Sequence, residues 1–340
     1  MAIAQVLWAI VAYFLFLTSS AETECGLPAV NPSLERDLRM DNRISRGWNA
    51  LPLSLPWMVS LSVWINDVQQ ACCGFLIKNG SPNETDLVLT AAHCVSRQNK
   101  FASPDNIAVG IGSLEAITSR GDKIWRYVRN YLTFLHNTET HDNDIALLKL
   151  VNPVEYNDQV KPLCLPGMLT AAIVPEACYA AGWGLTEQGS SSEILQLTQV
   201  HLQLDHISVN RNPSDRTKIH VQNAHEGSHG DSGSPLFCRL AGRYYAIGVL
   251  SLGPSNCDIE KGVTQYTRLD AYLQWISSAV EQLQNSTSRS ESYVHEVPFM
   301  LRRKTDTGGS LISDGYLNGR RMEDGLHLIA SLNGYHSHRL

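Results

Sequence analysis

The stretch Leu87-Val88-Leu89-Thr90-Ala91-Ala92-His93-Cys94 is a short apolar run followed by small residues and a His-Cys pair. Similar apolar runs, separated by turn residues, recur from about residue 56 to residue 266. The clearest of them are Met58–Val63, Ile107–Ile111, Ile145–Leu150, Cys178–Ala181 and Tyr244–Leu250. Many short strands without long helices between them predict an all-β fold, either a barrel or a sandwich.

A helical pattern appears only near the C-terminal end of this region. Apolar residues recur there at spacings of three and four: Tyr272, Ile276, Ala279, Val280 and Leu283. Residues 284–340 are instead rich in Ser, Gly and charged residues, with basic clusters at 302–304 and 320–321. This composition predicts a low-complexity, poorly ordered tail.

The composition excludes several classes of protein. Of the 340 residues, 43% are hydrophobic, which is ample for packed cores and excludes a wholly disordered or fibrous chain. The 27 Lys and Arg residues are outnumbered by 33 Asp and Glu residues, and the formal net charge is −6. A protein whose main partner is nucleic acid would carry the opposite charge, so we expect no nucleic-acid partner.

The N-terminal residues predict the compartment. Ala2 to Leu17 form an uncharged and mostly apolar run, and the small residues Ser19 and Ala21 follow it in the positions of a cleavage site. Residues 1–21 are therefore predicted to be a signal peptide, with an uncleaved anchor as the alternative. We expect the mature chain to be secreted to the extracellular space, with no membrane span after signal cleavage.

The cysteine count fits an oxidising compartment. The chain has eight cysteines: Cys25, Cys72, Cys73, Cys94, Cys164, Cys178, Cys238 and Cys257. An even number in a secreted protein predicts disulfides first, and the sequence has no C-x-x-C pair of the kind that binds zinc. Neighbouring residues cannot easily share one bridge, so at least one of Cys72 and Cys73 must pair elsewhere or remain a thiol.

Three stretches carry the residue types of nucleophilic catalysis. They contain His93 (residues 89–94), Asp144 (residues 142–148) and Ser232 (residues 230–235, reading GDSGSP). Each has an ordinary interpretation alone: a structural histidine beside a cysteine, an aspartate capping a strand, and a tight turn. Together they provide a nucleophile, its general base and a carboxylate that orients the base.

These motifs resemble those of the chymotrypsin/trypsin family of serine endopeptidases, and the resemblance extends from Cys25 to about Ile276. It implies two packed six-stranded antiparallel β-barrels with a C-terminal helix, an active site between the barrels, and hydrolysis of peptide bonds in proteins or peptides without a cofactor. The segment 114–122, which matches the calcium loop of the family, offers only Glu115 and Asp122 as acidic ligands, so we expect no metal.

The resemblance also implies the role of each catalytic residue. Ser232 attacks the scissile carbonyl, His93 passes the proton to the leaving amine, and Asp144 holds the tautomer of His93. The backbone N–H groups of Gly230 and Ser232 face the developing oxyanion.

The substrate-binding strand departs from the family pattern in one place. Ser251 and Gly253 match the segment that pairs with the substrate backbone, but Leu252 stands between them where the family usually has tryptophan. A further departure is Ser234, which replaces a usual glycine two residues after the nucleophile.

The front of the chain is similar to chymotrypsinogen-type zymogens. The Arg43–Ile44 bond falls where activation cleavage occurs, and the freed Ile44 ammonium would pair with Asp231 and order the oxyanion loop. An exposed Arg43 in an ordinary linker is the alternative. The usual Ile-Val-Gly-Gly is replaced by residues 44–47 reading ISRG. The predicted organisation is a signal peptide (1–21), an activation propeptide (22–43), a protease domain (44–283) and a tail (284–340).

The family map implies three disulfides. They are Cys72–Cys94 beside His93, Cys178–Cys238 near Ser232, and Cys25–Cys164, which would tether the propeptide. Cys73 stands where glycine is usual, and Ser228 stands where Cys257 normally finds its partner. An unusual Cys73–Cys257 bridge, thiols and an intermolecular link are all open at this point.

The specificity position of the family lies six residues before the nucleophile and is occupied here by Glu226. An acidic residue at the base of the pocket favours Arg or Lys before the scissile bond. The alternative is that Glu226 points to solvent and leaves a small apolar pocket with elastase-like preference.

The leading hypothesis is a secreted serine endopeptidase zymogen, and the rival is a catalytically weak or inactive homologue that acts as a binding or regulatory protein. The implied partners are protein or peptide substrates, an activating trypsin-like protease and serine protease inhibitors. Glycosylation sequons begin at Asn79, Asn83 and Asn285.

Overall fold

The structure is a computed structural model, and its described residues cover most of the region from 48 to 286. They are 25–32, 48–98, 100–116, 122–167, 175, 177–185, 190–200, 202, 216–222, 231–253, 263–286, 295–296, 315–317 and 320–322. The predicted signal peptide, the Arg43–Ile44 bond, Glu226, Gly230 and Cys257 lie outside the described residues.

Strands dominate the structure, as the short apolar runs predict. In chain order the strands are β1 (Trp48–Asn49), β2 (Met58–Ile65), β3 (Val68–Ile77), β4 (Glu84–Thr90), β5 (Ser96–Arg97), β6 (Lys100–Phe101), β7 (Ile107–Ile111), β8 (Ile124–Thr133), β9 (Ala146–Glu155), β10 (Ala177–Gly182), β11 (Gln196–Val200), β12 (Lys218–Gln222), β13 (Pro235–Leu240), β14 (Arg243–Leu252), β15 (Val263–Arg268), β16 (His295–Glu296), β17 (Gly315–Leu317) and β18 (Arg320–Met322). The α-helices are α1 (Ala92–Val95) and α2 (Leu273–Asn285).

Six strands close into the first barrel, in the order β8-β7-β2-β3-β4-β9, because β9 also pairs with β8. Their pairings within the barrel are antiparallel. The period-two pattern of β2 shows why it forms a strand: Val59, Leu61 and Val63 are fully buried, while Trp64 is exposed. The two-residue strand β16 adds to this sheet in parallel beside β8.

The second sheet has seven strands in the order β1-β11-β10-β13-β14-β15-β12. Six of them are the strands expected of a second barrel, and the seventh is the two-residue β1, which pairs with β11. Within the described residues, no pairing joins β1 or β11 to β12. The predicted all-β fold of two barrel-like sheets is thus confirmed. The first sheet closes into a six-stranded barrel, and the second has a seventh strand, β1.

Helix α2 is the helix that the spacing of apolar residues predicts. It buries Trp275, Ile276, Ala279 and Leu283, and it packs against β8 and β9. The ring of Phe134, which follows β8, lies 5.8 Å from the ring of Trp275. In the part of the chain that the structure describes, no helix is both long and apolar enough to cross a membrane.

The C-terminal residues 299–340 form a separate compact unit. Within it, β17 and β18 pair as an antiparallel hairpin of three residues each. A lone two-stranded hairpin is at best marginally stable in water, so the poorly ordered tail stays a prediction.

The structure contains the three disulfides that the family resemblance implies, Cys25–Cys164, Cys72–Cys94 and Cys178–Cys238. The first links the N-terminal segment to the loop after the first barrel. The second joins β3 to α1, and the third joins β10 to β13. Disulfides of this kind typically contribute about 2–4 kcal/mol to stability.

Candidate active site

His93 lies in the short helix α1, which begins two residues after Thr90, the last residue of β4. The Cys72–Cys94 disulfide links this helix to β3. The Gln70 side-chain amide also donates hydrogen bonds to the backbone carbonyl groups of His93 and Cys94. The imidazole itself is about one quarter exposed. The disulfide and Gln70 therefore hold the backbone of α1 while the His93 ring stays partly exposed.

Asp144 precedes β9 and is fully buried. Its Oδ1 atom accepts a hydrogen bond from the His93 backbone N–H at 2.9 Å, and its Oδ2 atom lies 2.7 Å from His93 Nδ1. From the second sheet, Ser251 Oγ donates to Oδ2 at 2.6 Å and Thr267 Oγ1 donates to the Asp144 carbonyl at 2.9 Å. Asp144 is thus bound to both halves of the molecule.

The electrostatics of this pair favour a negative carboxylate beside a basic imidazole. Burial raises the pKa of Asp144, but the charge of His93, the nearby His141 imidazole, the hydrogen bond from His93 and the charge of His136 outweigh it, so the pKa lies well below 3.8. Burial lowers the pKa of His93, but the charge and hydrogen bond of Asp144 raise it above 6.5. The His93 imidazole can therefore accept a proton, and the negative Asp144 carboxylate stabilises the resulting imidazolium.

Ser232 lies in a tight loop between the two halves of the molecule. Its carbonyl accepts a hydrogen bond from the Cys73 N–H of β3 at 2.8 Å, and the N–H of the next residue, Gly233, donates to Leu250 at 2.9 Å. Gly233 has φ +86, and a side chain there would overlap Thr90 at the end of β4. The glycine after Ser232 is therefore required for close contact with the segment that leads to His93.

Asp231 points away from this contact, towards the loop after β10. Its Oδ1 atom accepts a hydrogen bond from the Gly184 N–H at 2.7 Å, and it lies where a side chain on Gly182 would be. The carboxylate is half-buried. Its predicted partner Ile44 lies outside the described residues, as does the oxyanion residue Gly230.

The substrate-binding residues predicted at the end of β14 differ in environment. Ser251 is buried with its hydroxyl on Asp144, Leu252 is exposed, and Gly253 is half-buried just after the strand. The side chain of Ser251 therefore supports the His93–Asp144 pair, a role that the sequence analysis missed. Pairing of this segment with substrate stays a prediction.

Two further histidines, which the catalytic motifs do not predict, lie beside Asp144. His136 Nδ1 lies 3.8 Å from Oδ1, and His141 Nδ1 lies 3.9 Å from Oδ2. Burial lowers the pKa of His136 below 6.5, although the Asp144 charge opposes this shift. The signal available in the sequence was the run of residues 136–144, reading HNTETHDND, in which two histidines precede the aspartate.

Cys73 is a thiol in the structure and lies at the base of the Ser232 loop, fully buried. Burial, together with the charge of Asp231, raises its pKa to about 12. A family glycine is thus replaced by a small buried side chain, and the neighbouring Ser234 is buried as well.

Comparison with known proteins identifies the family. The model of the trypsin family matches residues 44–276. Chymotrypsin-C of Rattus norvegicus is 31% identical over 272 residues, covering 76% of this chain and 94% of the relative, and Chymotrypsin-C of Bos taurus is 31% identical over 276 residues with the same coverage. Cathepsin G of Mus musculus is 29% identical over 245 residues, covering 71% of this chain and 86% of the relative.

The chain therefore belongs to the trypsin family of serine proteases, as its motifs predict. It is a serine endopeptidase, a hydrolase whose substrates are proteins or peptides.

Proposed function

We propose that this chain is a secreted zymogen that becomes an active endopeptidase after cleavage of the Arg43–Ile44 bond. The observation that carries the proposal is the contact of 2.7 Å between His93 Nδ1 and the fully buried Asp144 Oδ2. A carboxylate in this position fixes the Nδ1–H tautomer, which leaves Nε2 free to accept the proton of a nucleophile.

Ser232 is the proposed nucleophile. Its carbonyl accepts the Cys73 N–H at 2.8 Å, and the next residue, Gly233, lies against Thr90, three residues before His93. In the proposed reaction Ser232 Oγ bonds to the scissile carbonyl carbon while His93 takes the hydroxyl proton, and His93 then protonates the leaving amine. Water hydrolyses the acyl-enzyme in the second half of the reaction, with the N–H groups of Gly230 and Ser232 stabilising both oxyanions.

A fluorophosphonate probe, which reacts with an activated serine, tests this proposal. The secreted full-length chain is cleaved with trypsin, cleavage at Arg43 is verified by N-terminal sequencing, and labelling is compared with that of the uncleaved chain. We expect labelling of the cleaved chain, its loss in Ser232→Ala, and its retention in the matched control Ser234→Gly. A correctly cleaved, folded chain that takes up no probe would support the inactive, regulatory homologue instead.

Activation is proposed to act through Asp231. The carboxylate accepts the Gly184 N–H and lies against Gly182, and a new Ile44 ammonium would neutralise it there and fix the residues next to it in the chain, Gly230 and Ser232. Arg43→Gln should leave secretion unchanged and prevent both trypsin activation and probe labelling. Full activity of uncleaved Arg43→Gln would contradict the zymogen proposal.

The proposed specificity is for Arg or Lys before the scissile bond, through Glu226. Family position supports it, and a carboxylate in the pocket would pair with the substrate cation. A peptide library cleaved by the activated chain should show this preference, and Glu226→Gln should reduce it. A preference for Ala or Phe that is unchanged in Glu226→Gln would show that Glu226 does not select the substrate.

Secretion is proposed from residues 1–21, and glycosylation from the sequons. Of the described asparagines in them, Asn83 and Asn285 are exposed, whereas Asn79 donates its amide to Asp86 at 2.9 Å. Expression in animal cells should release a chain that begins at Glu22 and shifts in mass on deglycosylation. Retention of the full chain in the membrane fraction would favour the uncleaved anchor. Once activated, the chain should also be captured by serine protease inhibitors.

The tail is proposed to be dispensable for hydrolysis. Helix α2 ends at Asn285, and Leu283 is its last buried residue. Beyond the helix, β16 adds two residues to the first sheet beside β8. A chain truncated at Asn285 should therefore fold and cleave peptides like the full chain. Loss of hydrolysis in a truncated chain of normal thermal stability would refute this.

A further inference from the structure

His93, His136 and His141 lie around the Asp144 carboxylate, and the proposed peptidase mechanism uses only His93. His93 Nδ1 lies 2.7 Å from Oδ2, and His141 Nδ1 lies 3.9 Å from the same oxygen. Among the described residues, no hydrogen-bond partner reaches the buried His141 Nδ1 atom. It faces the carboxylate across a gap that is too long for a hydrogen bond, and such a polar atom requires an explanation.

We propose that His93, His141 and Asp144 form a zinc-binding site, and that zinc bound there reversibly inhibits the peptidase. One ligand atom from each residue lies within 4.8 Å of the other two. Two imidazole nitrogens and one carboxylate oxygen form a donor set that Zn²⁺ commonly takes, with a fourth position left for water. The inhibition rests on the proposed function, whereas the binding of zinc does not.

The distances fit zinc after small movements of the ligand groups. Bonds of about 2.0–2.1 Å to nitrogen and oxygen place two ligand atoms of a tetrahedral site about 3.3–3.4 Å apart. The His93–Asp144 separation of 2.7 Å is below this range and the His141–Asp144 separation of 3.9 Å is above it. To reach this range the first separation must lengthen and the second must shorten by about 0.6 Å each, which requires movement of the shared Oδ2 atom and of the His141 ring.

The rings on the histidine side of the site reach the surface, and because the His141 Nδ1 atom itself is buried, a small movement of these rings would admit an ion. The side chains of His93 and His141 are 25% and 28% exposed, and Asp144 supplies the negative charge from within. His141 has φ 53, which residues other than glycine rarely adopt, and its loop is anchored where Lys218 Nζ contacts Asp142 at 2.6 Å. The loop therefore holds the His141 ring towards the carboxylate.

Zinc at this position would remove the general base without blocking the cleft. A neutral imidazole carries one proton, and in the His93–Asp144 pair that proton is on Nδ1. Coordination of zinc by Nδ1 moves this proton to Nε2, with no net change in protons on the ring. Nε2 then has no lone pair to accept the Ser232 proton, so acylation stops until the metal leaves.

Metal binding is tested on the full chain by calorimetric titration with zinc chloride after treatment with a chelator. The variant is His141→Asn, because asparagine tolerates a left-handed backbone and lacks an imidazole. The matched control is His220→Asn, a histidine of β12 whose Nε2 lies 3.2 Å from the Gln265 amide oxygen. We expect zinc affinity to fall at least about tenfold in His141→Asn and to stay unchanged in His220→Asn. Calcium and magnesium should not compete, because they prefer oxygen ligands.

A second measurement does not depend on the variant. X-ray absorption of the zinc-loaded wild-type chain should show nitrogen and oxygen ligands with two imidazoles and no sulfur. A sulfur ligand, or equal zinc affinity in wild type and folded His141→Asn, would overturn the site.

Inhibition is measured as the ratio of peptidase activity with zinc to activity with chelator, for each activated protein separately. This ratio should fall with zinc in wild type and His220→Asn and stay near one in His141→Asn. Zinc binding that depends on His141 but leaves the wild-type ratio at one would overturn the inhibition. If the cleaved chain is inactive even with chelator, the proposed function fails, and calorimetry alone decides the metal site.

Discussion

Ser251 and Asp144 join the two halves of the molecule through one hydrogen bond of 2.6 Å, from the Ser251 hydroxyl on β14 to the Asp144 carboxylate before β9. Both residues are buried, and 107 positions separate them in the sequence. The same carboxylate oxygen lies 2.7 Å from His93 Nδ1. The orientation of the general base therefore depends on how the second sheet packs on the first barrel.

Ser251→Ala should weaken both folding and catalysis. The substitution removes a hydrogen bond to a buried charge, which typically lowers the free energy of unfolding by about 1.5–3 kcal/mol. A catalytic loss of roughly tenfold corresponds to about 1.4 kcal/mol of lost support for the His93 imidazolium. Denaturant unfolding and kcat/KM of the activated chain measure the two effects.

The control for this prediction is Ser62→Ala. The Ser62 hydroxyl accepts a hydrogen bond from the Gln69 amide at 2.7 Å, and this bond is exposed and involves no charged group. Its loss should change the free energy of unfolding by less than about 0.5 kcal/mol. Equal effects of the two substitutions would mean that the Ser251–Asp144 hydrogen bond contributes no more to stability and catalysis than an exposed hydrogen bond does.

Peptidase activity should fall in acid with a midpoint above pH 6.5. His93 acts as a base only when neutral, and the charge and hydrogen bond of Asp144 outweigh burial and raise its pKa above 6.5. Asp144 stays ionised over this range because its pKa lies well below 3.8. The measurement is kcat/KM against pH with a chelator present.

The raised pKa of His93 also has a consequence for stability. The His93–Asp144 interaction contributes stability that is fully present below pH 6.5 and is lost as pH rises through the folded-state pKa of His93. In Asp144→Asn, NMR titration should show a lower pKa for His93, since burial remains and the charge is gone. Asp158→Asn, which removes a surface partner of Lys161, should not move it. An unchanged His93 pKa in Asp144→Asn would contradict the assignment of the cause.

Cys73 should resist alkylation in the folded chain. Its side chain is fully buried, and burial raises its pKa to about 12. At pH 8 only about one thiol in ten thousand would be ionised, and the thiolate is the reactive form. Mass spectrometry of iodoacetamide-treated protein should show Cys73 unmodified when folded and modified in urea. Rapid modification of the folded chain would show that the base of the Ser232 loop is open.

The sequence predicted those features that depend on local pattern or on the family motifs. Short apolar runs between turn residues predicted the strands, apolar residues at spacings of three and four predicted α2, and the family motifs identified His93 and Asp144, which lie in contact in the structure. The Ser251–Asp144 bond could not be predicted, because it depends on how two sheets pack. The placement of His141 beside Asp144 could not be predicted either. Its backbone has φ 53, which in a residue other than glycine is imposed by the surrounding structure and not by local preference.

Strand β1 shows the same limit. Trp48 and Asn49 form a strand only because they pair with Leu197 and Gln196 of β11, and two residues have no periodicity to detect. The seventh strand of the second sheet was therefore absent from a prediction of two six-stranded barrels.

Gly182→Ala should disable the Ser232 loop while leaving the fold in place. A methyl group at Gly182 would overlap the Asp231 carboxylate, whose Oδ1 accepts the Gly184 N–H at 2.7 Å. Gly182 is the last residue of β10 and pairs with Gln196 of β11, which restrains its backbone, so the carboxylate must leave this position. Because Asp231 precedes Ser232 directly, the nucleophile and the oxyanion N–H groups would shift with it.

The expected loss in kcat/KM is at least about 100-fold, the range found when a single oxyanion donor is misplaced. The matched control is Gly167→Ala, because a methyl group at Gly167 would have no atom within 4 Å. Thermal unfolding of both variants checks that the chains are folded, and fluorophosphonate labelling and peptide hydrolysis after cleavage at Arg43 measure the site. If folded Gly182→Ala is labelled and hydrolyses peptide like Gly167→Ala, the position of the Asp231 carboxylate does not control the Ser232 loop.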